Sequence, residues 1–203
     1  MAYAFAEIAF TEAVRDIQNK MGSGAFYEKL LEANPEQAEQ LGEGEAAFIA
    51  ARDGFYQATV SETGWPYVQF RGGPPGFLKV LDGKTVAYAD FRGNRQYVSV
   101  GNLTGNDRVS LILMDYPNRR RLKFLGRARF DDDEKLINDL HVEGYKAKPE
   151  RAVVIDVEAF DWNCPAHIPQ RLTVQEFEPV LATMRQQILQ LQEENKELKE
   201  FLK

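Results

Sequence analysis

Thr85-Val86-Ala87-Tyr88-Ala89-Asp90-Phe91-Arg92-Gly93-Asn94-Arg95 is the stretch whose reading decides the fold. Its first five residues read as a strand. They are joined through Asp82-Gly83 to a second strand-like run, Phe77 to Leu81, so the pair forms a β-hairpin by the Asp-Gly rule. Its second half is a polar turn rich in arginine. Outward from this hairpin the same pattern repeats. Phe55 to Val60 and Pro66 to Arg71 are strand-like and flank the turn Glu62-Thr63-Gly64. Gly72-Gly73-Pro74-Pro75-Gly76 is a loop or bulge, because neither Gly nor Pro suits a sheet interior. Downstream, Arg108 to Asp115, Arg121 to Phe130 and Ala152 to Phe160 are further strands, with a short helix at about Asp133 to His141. Short antiparallel strands at this spacing, with one inserted helix, indicate a barrel. The expected class is α+β, mainly β.

The two ends of the chain are helical. Thr11 stands as N-cap for Glu12 to Met21, which places Val14, Ile17 and Met21 on one face and stops at Gly22. A second helix is expected over about Ala25 to Ala33, stopping near Pro35, and a third after Gly44. At the far end, Leu181, Met184, Ile188, Leu191, Asn195, Leu198 and Leu202 alternate three- and four-residue steps. This puts Leu181, Ile188, Asn195 and Leu202 at heptad position a, and Met184, Leu191 and Leu198 at d. One Asn at a favours a parallel two-stranded coil, and Glu194 pairs with Lys199 of the other strand as g with e′. The alternative is an amphipathic helix lying on its own domain. The expected organisation is residues 1–44 as an N-terminal helical segment, 45–171 as the barrel and 172–203 as the C-terminal helix, a coiled coil in the first reading.

The chain has 203 residues with a formal charge of −6, so a general affinity for nucleic acid or anionic lipid is not expected. The charge is uneven. Between Asp90 and Arg129 nine Lys or Arg face three acids, leaving +6 there and −12 elsewhere. A basic centre inside an acidic protein suits a small anion such as a phosphate. The plainer reading is that these arginines are solvated strand-face residues paired with acids elsewhere. Few aromatics interleave with Arg119 to Arg129, which speaks against a stacking surface for single strands. No apolar run approaches a membrane span. Met1 to Phe10 is apolar but contains Glu7 and lacks a basic start, so no signal peptide is read, and Cys164 is the only cysteine. A cytoplasmic location follows from these readings.

Gly54-Phe55-Tyr56-Gln57-Ala58-Thr59-Val60, followed by Gly64-Trp65-Pro66-Tyr67-Val68, resembles the opening hairpin of the pyridoxamine 5′-phosphate oxidase-like split barrels. Tyr88 to Arg95, with Asn102-Leu103 after it, is similar to that family's flavin-phosphate turn. Val109 to Leu113 and Leu122 to Ala128 resemble its next two strands. The resemblance covers about residues 45–165. It implies an antiparallel split β-barrel, an FMN cofactor, a homodimer with the site at the dimer interface, and a flavin-dependent oxidoreductase passing hydride to or from a small substrate. A non-catalytic carrier of flavin or haem is the alternative, and the deazaflavin F420 is a further cofactor of such barrels.

The resemblance assigns the phosphate to Phe91, Arg92, Gly93, Asn94, Arg95 and Asn102. A phosphate needs charge-assisted donors on a compact backbone, and an arginine offers a bidentate fork. The family's turn carries a hydroxyl residue, an Arg and a Lys where this chain has Gly93, Asn94 and Arg95. Arg71 loosely matches the family's other phosphate arginine. Arg121, following Arg119 and Arg120, is the candidate donor to the polar edge of the flavin ring, where a positive charge stabilises the anionic reduced form. Trp162-Asn163-Cys164-Pro165-Ala166-His167-Ile168-Pro169-Gln170-Arg171 sets a thiol, an imidazole and an arginine among prolines. In the family the residues after the last strand reach the partner subunit's flavin, so His167 or Arg171 would face the ring or substrate. The other reading is a rigid linker into the last helix. Two histidines and one cysteine make no zinc set, and no Walker loop, nucleophile elbow or dinucleotide fingerprint is present. No side chain is identified as catalytic.

Overall fold

The computed structural model describes residues 3–31, 40–162 and 164–202. The elements run α1 (Tyr3–Ala9), α2 (Glu12–Lys20), α3 (Gly24–Leu31), α4 (Glu43–Ala50), β1 (Gly54–Val60), β2 (Pro66–Gly72), β3 (Leu78–Asp82), β4 (Thr85–Phe91), α5 (Val98–Gly105), β5 (Arg108–Asp115), β6 (Arg120–Asp131), α6 (Glu134–Leu140), β7 (Pro149–Trp162) and α7 (Val174–Phe201). All seven strands fall where the sequence pattern places them. Ala33 and Pro35, expected at the end of the second helix, lie outside the described residues. Two elements were not foreseen. The apolar start folds as α1, with Ala6 buried and the helix packed on β7. The polar stretch after Arg95 winds into α5.

The strands form one sheet in the order β2-β1-β5-β6-β7-β4-β3, antiparallel throughout. Alternation sets its inside. On β5, Val109, Leu111, Leu113 and Asp115 point inward; on β6, Leu122, Phe124 and Ala128 do the same. The sheet curls until strands far apart in that order touch. Phe55 of β1 stacks on Phe77 at 5.6 Å and meets Tyr88 of β4 edge-on at 5.3 Å. The Tyr88 hydroxyl donates to Oε1 of buried Gln57 at 2.8 Å. This is a barrel whose edge strands, β2 and β3, do not pair with each other. A smaller core of Ala87, Ala89, Ala152 and Val154 lies on the other face of β4 and β7, under Leu140 of α6.

Two local expectations are corrected. The β3–β4 turn is not of the left-handed Asp-Gly kind: Gly83 has no positive φ, and the turn is held by Asp82 Oδ1 accepting the Lys84 N–H at 2.8 Å. Space beside Gly83 is tight, since a Cβ there would stand 3.0 Å from the Gln40 side-chain oxygen. Thr11 occupies the N-cap of α2 in extended conformation, but its side chain makes no capping bond.

α7 begins with a capping box: Thr173 Oγ1 accepts the Glu176 N–H at 3.2 Å, and Glu176 Oε2 accepts the Thr173 N–H at 2.8 Å. Pro179 interrupts its ladder two turns in. None of its residues is buried, and Met184, Ile188, Leu191 and Leu198 are between 51% and 63% exposed. Among the described residues, no helix is long and apolar enough to cross a membrane.

Candidate functional site

The arginine-rich turn and the end of β2 enclose a cavity of about 230 Å³. Arg71, Phe91, Gly93, Asn94 and Arg95 line it together with Gln69, Tyr97, Ser99 and Glu150. An adjoining hollow shares Arg71, Phe91 and Gly93 and adds Arg92. Five of the ten residues expected at the cofactor therefore share one cavity, and Arg92 stands at its margin.

The turn is shaped by left-handed backbone. Arg95 has φ 62° and Tyr97 has φ 53°, while Gly93 adopts no positive φ. Gly93 is exposed, and beyond its chain neighbours a Cβ there would meet no atom within 4 Å, so the main chain is open at this point. Asn94 Oδ1 accepts the Gln96 N–H at 3.1 Å, an Asx-type bond that fixes the bend. Tyr97 then starts α5, and buried Ser99 ties the helix to β2 by donating to Gln69 Oε1 at 2.9 Å. Asn102 lines neither hollow. Its amide donates to Thr59 Oγ1 at 2.9 Å and fastens α5 to β1.

Charge organises the wall. Arg71 Nη1 donates to Asp90 Oδ1 at 2.6 Å, and Arg151 Nε stands 3.7 Å from Asp90 Oδ2. Burial pushes the Asp90 carboxyl above the usual carboxylate range, against the pull of both arginines. Arg92 Nε donates to Glu150 Oε1 at 2.8 Å, and this bond holds the Glu150 carboxyl below its ordinary value. The Tyr97 hydroxyl reaches the same oxygen at 3.3 Å. Around the cavity four arginines, including the unengaged fork of Arg95, face two carboxylates. Arg71 Nε and Arg151 Nε are buried and lack a hydrogen-bond acceptor.

Asp90, Glu150 and Arg151 were not singled out from the sequence. Asp90 and Arg151 are direct partners in the β4–β7 register, a relation no local motif carries.

Arg121, His167 and Arg171 lie elsewhere, near the hairpin joining β5 to β6. The Arg171 guanidinium stacks on Tyr116 at 5.0 Å, and Gln170 Nε2 donates to the Pro117 carbonyl at 2.8 Å. His167 is exposed with φ 64°, while its neighbour Ile168 is buried. Arg121 is half-buried on the outer face of β6, and its buried Nε lacks an acceptor. Burial, reinforced by nearby Arg121, pushes the Lys123 amine below its ordinary value. Within one chain these residues do not meet the arginine-rich turn. The outer face of β1 and β2 exposes Tyr56, Val68 and Phe70, with Trp65 in the turn between these strands, an apolar patch of the kind that marks an interface. Other arginines of the basic segment are neutralised locally: Arg127 by Asp107 and Glu158, Arg129 by Asp156.

No curated protein matches the chain. Solved structures do. HupZ of Group A Streptococcus shares 17% identity, covering 61% of this chain and 99% of its own, at a TM-score of 0.50. An FMN-binding protein of Syntrophomonas wolfei shares 10% identity over 72% of this chain and 97% of its own, at a TM-score of 0.48. HutZ, a haem storage protein of Vibrio cholerae, shares 16% over 60% and 94%, at a TM-score of 0.40. The profile of the pyridoxamine 5′-phosphate oxidase family matches residues 41–163, from just before α4 to the end of β7. The barrel, its arginine-rich turn and that match agree: the chain belongs to the pyridoxamine 5′-phosphate oxidase family of FMN-binding split barrels.

Proposed function

We propose that the chain is a homodimeric flavoprotein that holds FMN by its phosphate in the turn cavity and acts as an oxidoreductase on a small substrate in the cytoplasm. The observation that carries this reading is the gathering of Arg71, Arg92 and Arg95 around a small hollow, with the Arg95 guanidinium exposed beside it. A dianionic phosphate answers that charge, and the open space beside Gly93 admits it next to the main chain. Arg95 and Arg71 bind the phosphate, and Asn94 and Gly93 shape the loop around it.

The apolar outer face of β1 and β2 supports the dimer. Arg121, with its buried Nε, and the Tyr116–Arg171 stack lie near the β5–β6 hairpin, which in a dimer would meet the other subunit's ring site. Arg121 then supplies positive charge at the ring edge, and His167 and Arg171 border the substrate. Bound flavin supplies hydride transfer; the side chains orient it, tune its charge and exclude water. α7 extends the dimer as a parallel coiled coil.

The visible spectrum of the purified protein tests the cofactor. A flavin spectrum, with quenching of FMN fluorescence on titration, supports the reading. A Soret band points to haem, a deazaflavin spectrum to F420, and either result overturns FMN.

A further inference from the structure

We infer that Arg151 is a positioning residue for anion binding: by sharing the Asp90 carboxylate, it keeps part of the Arg71 guanidinium free to face the cavity. The inference rests on the phosphate reading of that cavity and deepens it, because it makes β7 the element that sets selectivity for a phosphorylated ligand.

Asp90 has two oxygens and two arginines. Oδ1 is taken by Arg71 Nη1 at 2.6 Å, and Oδ2 faces Arg151 Nε at 3.7 Å. Arginine and carboxylate prefer a two-point fork, and a buried carboxylate with one arginine neighbour draws both of that arginine's donors. Here the end-on fork, which would set Nη1 and Nη2 on the two oxygens, does not form: Nη1 alone bonds to Asp90. What prevents the fork is the second cation. Arg151 is itself held in place by apolar and polar neighbours. Its guanidinium stacks over the rings of Tyr97, at 5.7 Å, and Phe130, at 5.6 Å, and its Nη2 stands 3.9 Å from Glu150 Oε2. Tyr97 and Glu150 both line the cavity, so Arg151 buttresses the wall without lining it. If Arg151 is removed, Asp90 claims the whole Arg71 fork, and the ligand loses a donor.

The test compares binding of FMN and riboflavin, which differ only by the phosphate, to the full chain by fluorescence quenching. R151M keeps apolar packing over Tyr97 and Phe130 while deleting the charge. It should weaken FMN binding roughly tenfold, the scale of one charged hydrogen bond, and leave riboflavin unchanged. R151K, which restores a cation beside Asp90, should recover most of the loss. The double variant D90N/R151M should also recover it, because a neutral amide no longer sequesters Arg71. A merely structural role for Arg151 predicts equal losses for both flavins and no rescue by D90N. Direct contact of Arg151 with the phosphate predicts that D90N fails to rescue. Either result overturns the inference, as does an R151M protein that discriminates like the parent. A parent that binds FMN no more tightly than riboflavin overturns the phosphate reading itself, and this inference with it.

Discussion

Arg71 of β2 and Asp90 of β4 meet across the unpaired seam of the barrel, Nη1 to Oδ1 at 2.6 Å, with side chains only 14% and 7% exposed. The pair couples the edge strand β2 to the strand that carries the arginine-rich turn. Deleting one member of a buried pair leaves the other desolvated and unbalanced. R71A should therefore destabilise the chain by about 3 kcal/mol, the lower end of the usual range because Arg151 still faces Asp90. Denaturant unfolding measures it. A loss well under 1 kcal/mol, on the scale of an exposed pair, would show that Arg151 alone balances the carboxylate.

The same carboxylate gives stability a pH dependence. Burial raises the Asp90 carboxyl above the ordinary aspartate value of about 3.9 that the unfolded chain has. Between that value and the raised one, the folded chain binds more protons than the unfolded chain. This group's contribution to stability therefore falls as pH rises through the window and is level above it. Melting temperatures taken in steps upward from about pH 4 should show this decline in the parent and lose it in D90N. Parallel curves for the two proteins would mean that Asp90 does not titrate in that window.

The strand pattern was legible because each strand's apolar residues alternate or cluster at the expected period. Val109, Leu111 and Leu113 alternate inward, and Thr85 to Asp90 is buried along nearly its whole length. The turn is legible as a surface feature, since Gly93, Asn94 and Arg95 line one cavity. Its conformation is not. The left-handed φ values fall on Arg95 and Tyr97, where side-chain type gives no warning, and not on the glycine. Asp90, Glu150 and Arg151 stayed hidden because their meaning comes from register across strands 60 positions apart, which no local motif records. Asn102 was read as a ligand donor, but its amide is engaged by Thr59.

Arg95 has left-handed backbone in the turn, and its proposed contact with phosphate separates from that strain by substitution. R95A and R95G should each lower FMN affinity by about 1.5–3 kcal/mol, the scale of a charged hydrogen bond. At φ 62° the glycine variant avoids the left-handed penalty. Without ligand it should melt no lower than the parent, and above R95A. Titration calorimetry and thermal melts check both. An unchanged FMN dissociation constant in either variant would remove Arg95 from the phosphate site.

Gly126 lies where β6 shifts register against β7, and a Cβ there would stand 2.5 Å from the Asp156 carbonyl oxygen. That atom is backbone in a paired strand and has no flexible end to swing aside. G126A should cost upward of about 2 kcal/mol, in the range of overpacked sites. G101A is the matched control, since a Cβ at Gly101 meets nothing within 4 Å and sits in α5, where alanine is the better helix former. Denaturant midpoints that move equally for the two variants would refute the close approach at the bulge.

The tail gives the most direct check on assembly. A helix of 28 residues with no buried side chain lacks the tertiary packing that normally stabilises helices, so its apolar stripe calls for a partner. Pairing with a second copy places Asn195 against its twin and Glu194 beside Lys199 of the other chain, which fixes a parallel register. N195L should then raise the melting temperature while loosening the preference for two strands, because a buried amide pair trades stability for specificity. Deleting everything after Pro179 should leave a dimer held by the barrel face, dissociating at a higher concentration than the parent. Light scattering across a dilution series reads the mass of all three proteins. A deletion variant that dissociates no sooner than the parent, together with an N195L protein unchanged in mass and melting temperature, would mean that α7 does not pair with itself. The proposed barrel dimer would survive that outcome, because the exposed apolar face of β1 and β2 on which it is argued is independent of the tail.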